Sequence, residues 1–88
     1  MAAYRIQIKH SAFKELSRLQ AKIGLRLLDA IQSLLTDPRP RQSKKLKGAQ
    51  AEGAYRVRVG DYRIVYDVDD DLKLVTVYRI GHRREVYR

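Results

Sequence analysis

The chain has 88 residues, 19 of them Lys or Arg and 10 Asp or Glu, for a net charge of +9 with histidine neutral. That length builds one domain around one modest core, taken as residues 1–88, and the absence of cysteine excludes a disulfide framework, a thiol nucleophile and a Cys-based metal site. No apolar run approaches the roughly 18–20 residues of a membrane span, and the opening MAAYRIQIKH lacks a signal-peptide core. A cytoplasmic protein without membrane contact is expected. Such a charge calls for a polyanionic partner: nucleic acid, an anionic surface or an acidic protein. The charge is also uneven. Between Arg39 and Arg63 stand eight basic residues against Glu52 and Asp61, a net +6, two thirds of the total.

Residues 4–9 alternate Tyr4, Ile6 and Ile8 with Arg5, Gln7 and Lys9, the period-two pattern of a strand. An isolated strand leaves its backbone unpaired, so it must join a later sheet. Ser11 is placed to cap a helix beginning at Ala12 or Phe13. Phe13, Leu16, Leu19, Ile23, Leu27, Ile31, Leu34 and Leu35 then recur at three and four residues, one apolar stripe of helical period. The stripe is long for one globular helix, and Gly24 favours a break near residues 21–24, giving a helical hairpin. Pro38 and Pro40 end it. The basic stretch QSKKLKG, with Leu46 its only apolar anchor, reads as a short strand or a loop.

Residues 55–80 read as three strands. Gly60 and Asp61 make the first turn, so Val59 should face Tyr62 and Arg58 should face Arg63. With residues 69–71 as the second loop, Val68 would face Leu72 and Asp67 would face Lys73. One face is then Tyr55, Val57, Val59, Tyr62, Ile64, Tyr66, Val68, Leu72, Leu74, Tyr78 and Ile80, with Thr76 the exception. This face should cover the helical stripe. The other carries Arg56, Arg58, Arg63, Lys73 and Arg79 around Val65, Val75 and Val77. The fold class is α+β: a helical hairpin on one face of a small, largely antiparallel sheet, in the order β-α-α-β-β-β.

Two arginines directly across a ladder repel, and such a local conflict marks a candidate functional site. Guanidinium groups do not act as bases; they bind phosphate and stabilise charge developing on it. RNA supplies its own nucleophile in the 2′-OH, so a cation cluster with one proton acceptor and one proton donor needs no metal. Tyr87 and His82, in the tail with Arg83 and Arg84, are the proton-transfer candidates. The three aspartates at 69–71 lack the spacing of a calcium loop and read as a solvated turn.

The segments Leu46-Lys47-Gly48, Tyr55-Arg56-Val57-Arg58, Gly60-Asp61-Tyr62-Arg63-Ile64-Val65-Tyr66, Gly81-His82-Arg83 and Glu85-Val86-Tyr87 resemble the RelE toxins of toxin–antitoxin pairs. The resemblance spans nearly the whole chain. It implies a single RelE-like toxin domain that cuts mRNA in the ribosomal A site without metal or other cofactor. It also implies a cognate RelB-like antitoxin as partner. Carried across, it makes Arg56, Arg58, Arg63, Arg83 and Tyr87 catalytic. Lys44, Lys45, Lys47, Arg79, His82 and Arg84 are expected to bind RNA or the ribosome. Well-known family members have lysines where this chain has Arg56 and Arg58, which leaves the general base open, and some continue into a C-terminal helix absent here. ParE-like toxins, which bind DNA gyrase and are not nucleases, share the scaffold and form the alternative; an inactive RNA-binding relative is a third.

Overall fold

The computed structural model describes residues 3–46 and 54–82. The elements are β1 (Arg5–Ile8), α1 (His10–Ser17), α2 (Ala21–Ser33), β2 (Lys44–Lys45), β3 (Tyr55–Val59), β4 (Tyr62–Asp69) and β5 (Leu74–His82). The strands form one sheet in the order β1-β5-β4-β3-β2, parallel only where β1 meets β5. The helices cover one face, giving the expected α+β architecture. Two residues of the QSKKLKG stretch do form a strand, β2, and it extends the sheet beyond β3.

Ser11 does not cap α1. Lys9 holds the N-cap without a side-chain bond, and the Ser11 hydroxyl donates to the Tyr78 carbonyl at 3.2 Å. The break between the helices falls at residues 18–20 and not at 21–24. Arg18 and Leu19 donate to carbonyls three residues back, tightening the end of α1. Gly24 therefore lies inside α2, with its N–H bonded to the Gln20 carbonyl at 2.9 Å. A Cβ added there would meet nothing within 4 Å. Gly24→Ala should stabilise the protein by about 0.5–1 kcal/mol, because it removes unfolded-state freedom without a clash. The expected result is a higher urea midpoint at unchanged slope; a lower midpoint would refute it.

The core consists of Ala12, Leu27, Ile31 and Leu34 from the helical layer and Val57, Ile64, Tyr66, Val75, Val77 and Ile80 from the sheet. Of the residues expected on the packed faces, Phe13, Leu72 and Tyr78 are exposed and Leu74 is only half-buried. For Phe13, the inward ridge of the short α1 is Ala12 and Leu16, four residues apart, and Phe13 falls on the flank. For β5 the cause is a β-bulge. Val65 pairs with Arg79, whereas the next residue, Tyr66, pairs with Val77, so Tyr78 is the extra residue. Each extra residue reverses side-chain parity. Val75 and Val77 face the core before the bulge, and Ile80 does so after it.

The second turn also differs from expectation. Asp69 pairs with Leu74 and Asp67 with Thr76, not with Lys73, so the loop is residues 70–73, with Lys73 at φ 53°. The Asp69 carboxylate accepts the N–H groups of Asp71 and Leu72, both at 3.0 Å, and organises this four-residue loop.

The segment between α2 and β2 is clasped to that loop. The Tyr66 hydroxyl, whose pKa burial raises, donates to the Pro38 carbonyl at 2.7 Å. Arg39 grips Asp70 with two N–H groups, at 2.8 and 3.2 Å, and donates through Nε to the Tyr55 hydroxyl at 3.0 Å. Tyr4 donates to the same carboxylate at 2.8 Å. Hydrogen bonds from Arg39 and then Tyr4 hold the Asp70 carboxyl at about 2, below the usual 3.8. A depressed carboxyl stabilises fully above its unfolded value, and the benefit disappears as pH falls through the folded one. Asp70→Asn should thus destabilise the protein at pH 6 and flatten the loss of stability between about pH 4 and 2. Urea titrations across that range check this; an unchanged slope would show that the clasp does not couple to folding.

Candidate nucleic-acid interface

The sheet face turned away from the helices gathers the cations. Two cross-strand rows set its geometry. Lys44, Arg56, Val65 and Arg79 lie side by side across β2, β3, β4 and β5. In the next row Arg58 faces Arg63, and Arg63 faces Gly81. The expected Arg58–Arg63 pairing is therefore present, and Lys44 opposite Arg56 adds a second like-charge pair. Arg56 and Val65, each 8% exposed, form the floor, and Arg58 stands out into solvent.

The bulge at Tyr78 matters here as well. With uninterrupted alternation, Arg79 would share the helix-facing side with Val75 and Val77. The extra residue brings it to the open face beside Val65. Part of the Arg79 charge is committed: its Nε lies 3.5 Å from Glu15 Oε1 on α1. The same carboxylate oxygen accepts the Ile80 N–H at 3.2 Å, on the stretch of β5 that runs past the end of β1. Glu15 thus protects an otherwise bare strand edge.

Of the residues expected to act, Lys44, Arg56, Arg58, Arg63 and Arg79 share this face. Lys45 pairs with Tyr55 and points to the opposite side. His82 pairs with Tyr62 on the helix side, ring against ring edge-on at 5.8 Å. Lys47, Arg83, Arg84 and Tyr87 lie outside the described residues. Among the described residues the open face offers guanidinium and ammonium groups but no histidine, so it is equipped to bind and neutralise anions. It is also polar along its length. Asp67 and Asp69 share the face at the β4–β5 turn, where Arg5 is in line with Asp69, while Arg58 and Arg63 lie at the β3–β4 turn. An anion is therefore directed to one end.

Sequence reasoning missed Glu15, which looks like any exposed acid on an amphipathic helix. It also missed Asp70, whose neighbours Asp69 and Asp71 made it look like part of a solvated turn. The pairing of Asp70 with Arg39 spans 31 positions, and nothing local announces it.

The family model described as "ParE toxin of type II toxin-antitoxin system, parDE" matches residues 6–87. The chain is 33% identical over 85 residues to the toxin RelE of Mycobacterium tuberculosis, across 97% of this chain and 87% of that protein. It superposes with a TM-score of 0.80 on a chain of the archaeal RelE–RelB complex from Pyrococcus horikoshii OT3, at 30% identity and covering 96% of this chain and 99% of that one. The toxin–antitoxin complex RelBE2 of Mycobacterium tuberculosis gives a TM-score of 0.80 at 28% identity, covering 92% and 99%.

Proposed function

The chain belongs to the RelE/ParE superfamily of type II toxins and is RelE-like, and on that premise we propose that it is a ribosome-dependent endoribonuclease. Its substrate is the mRNA codon exposed in the ribosomal A site. The supporting observation is the open cationic face, with Arg58 directly opposite Arg63. A phosphate lying between the two guanidiniums can be held by both. The 2′-OH of the message loses its proton and attacks the scissile phosphorus, the bond to the 5′-oxygen of the next nucleotide breaks, that oxygen takes up a proton, and a 2′,3′-cyclic phosphate remains; Arg58 and Arg63 neutralise the charge that grows on the phosphate oxygens. Arg56, nearly buried, holds the floor of the site and adds to its field. Arg83 and Tyr87 complete the site on the strength of the family resemblance, Tyr87 taking part in proton transfer.

The partner is a cognate RelB-like antitoxin, in keeping with the RelE–RelB complexes among the structural relatives. It would silence the toxin by covering the cationic face with carboxylates, which also speeds its association. Inducing the protein and mapping mRNA ends by primer extension tests the nuclease reading: new ends should appear only when ribosomes translate the message. The matching family model is that of ParE toxins, so gyrase inhibition is the second reading. Inhibited supercoiling with intact mRNA ends would establish it.

Lys44 lies at the margin of the face, on the two-residue edge strand. Lys44→Ala should weaken ribosome binding and lower the slope of log affinity against log salt by roughly 0.7, the loss of one phosphate contact on single-stranded RNA. Affinity measured between roughly 50 and 200 mM salt reads this. An unchanged slope would remove Lys44 from the interface.

A further inference from the structure

A second concavity lies across the β3–β4 turn from the arginines. Between α2 and that turn, a cleft of about 260 Å³ is lined by Ile23, Arg26, Val59, Gly60, Asp61 and Tyr62. It is smaller than the roughly 300–1,000 Å³ of sites for drug-sized ligands, a size suited to one nucleoside. Ile23 and Val59 give it apolar walls and Tyr62 an aromatic one. The Tyr62 ring is braced edge-on by His82 at 5.8 Å. Gly60, at φ +61°, carries no side chain to fill the space, and the Arg26 guanidinium nitrogens lie 3.8 and 3.9 Å from where its Cβ would be.

The two charged groups decide what fits. Arg26 and Asp61 line one cleft, yet neither is in an ion pair among the described residues. Each keeps its hydrogen-bonding capacity for a ligand. A carboxylate beside a strongly cationic face repels phosphate, so this is not an extension of the phosphate grip. It suits a group with adjacent N–H donors. Guanine presents two side by side on its pairing edge, matching the two oxygens of a carboxylate, and its O6 and N7 accept from a guanidinium. An unpaired base can also stack on a tyrosine, as single-stranded RNA does on aromatic platforms.

We propose that this cleft is a nucleobase site that takes an unpaired guanine: Asp61 accepts from the N1–H and N2–H groups, Arg26 donates to an acceptor on the base, and Tyr62 stacks. The inference rests on the reading of the open face as an RNA interface, since the turn that lines the cleft joins the two strands that carry Arg58 and Arg63. The guanine comes either from the message or from ribosomal RNA; the chemistry is the same.

Amide and guanidinium NMR titrations with GMP, AMP, CMP and UMP test the site in the absence of cleavage. GMP should shift Gly60, Asp61, Tyr62 and the Arg26 Nε, and bind at least about tenfold more tightly than CMP, the scale of a good bidentate base contact. Asp61→Asn should erase the preference for GMP while leaving the remaining spectrum folded. Tyr62→Leu should weaken all four nucleotides. Equal binding of the four, or shifts confined to Arg58 and Arg63, would overturn the proposal. Arg63→Ala separates this site from the nuclease reading, because it should impair cleavage yet keep the GMP shifts. Two arms tell the sources apart. With a message guanine, Asp61→Asn changes which positions are cut. With a ribosomal guanine, it lowers affinity for ribosomes whatever message they carry. Unaltered cutting together with unaltered ribosome affinity would count against the site.

Discussion

Arg63→Ala is expected to slow single-turnover cleavage on programmed ribosomes by about 10²–10³, the loss typical of one donor aimed at charge developing in a transition state. Arg63 is half-buried in β4, directly opposite Arg58 and next to Gly81. Its position is thus set by the ladder and not by a mobile loop. A group that acts mainly on the transition state lowers the rate far more than it lowers binding. Ribosome affinity should therefore fall little, and growth inhibition should be lost. Folding should survive, since Arg63 lies outside the core cluster. Arg79→Ala should matter less, because Glu15 already holds part of that charge. Near wild-type cutting by the Arg63 variant would remove Arg63 from the catalytic machinery and move the chemistry off this face.

The second large effect concerns the core. Leu27 is wholly buried at the centre of α2, packed with Ile31 and Leu34 over Val57, Ile64 and Tyr66. Leu27→Ala should cost about 2–5 kcal/mol, lost transfer energy plus a cavity that the sheet cannot collapse to fill. Small domains have total stabilities of only about 5–15 kcal/mol, so the variant should melt well below the parent and can unfold at growth temperature. Urea unfolding reads the difference. A loss under about 0.5 kcal/mol would place Leu27 outside the packed interface.

The first hairpin was legible in the sequence because each of its cues agrees. Gly60 at positive φ, with no positive φ at Asp61, makes the two-residue turn. Alternation from Tyr55 to Val68 then continues without interruption, so the Arg58–Arg63 register follows. The third strand was misread because a bulge carries no sequence mark of its own: Tyr78 and Arg79 fit uninterrupted alternation as well as they fit an extra residue. Leu74 and Tyr78 were consequently expected inside, and Val75 and Val77 outside. The helix break was misplaced because Gly24 outweighed the less conspicuous Arg18-Leu19-Gln20. For the site, residue type and register pointed to Arg56, Arg58, Arg63 and Lys44. What the sequence could not convey was sidedness at the strand ends, where Lys45 and His82 turn to the helix side. The Arg26–Asp61 cleft was equally hidden, since it joins an exposed helix position to a turn 35 positions later.

The strand order has a consequence for synthesis. Among the described residues β1 pairs only with β5, and Arg5 meets Leu74 across 69 positions of chain. α1 also rests on β5, where Ser11 and Glu15 bond to its backbone. While the protein is being made, its first strand and first helix therefore wait for almost everything that follows. Contacts this distant in sequence make folding slow and late. A nascent chain that stops before Leu74 has neither the row through Arg79 nor a shelf for α1. For a toxin, this arrangement postpones the assembled cationic face until β5 has been made.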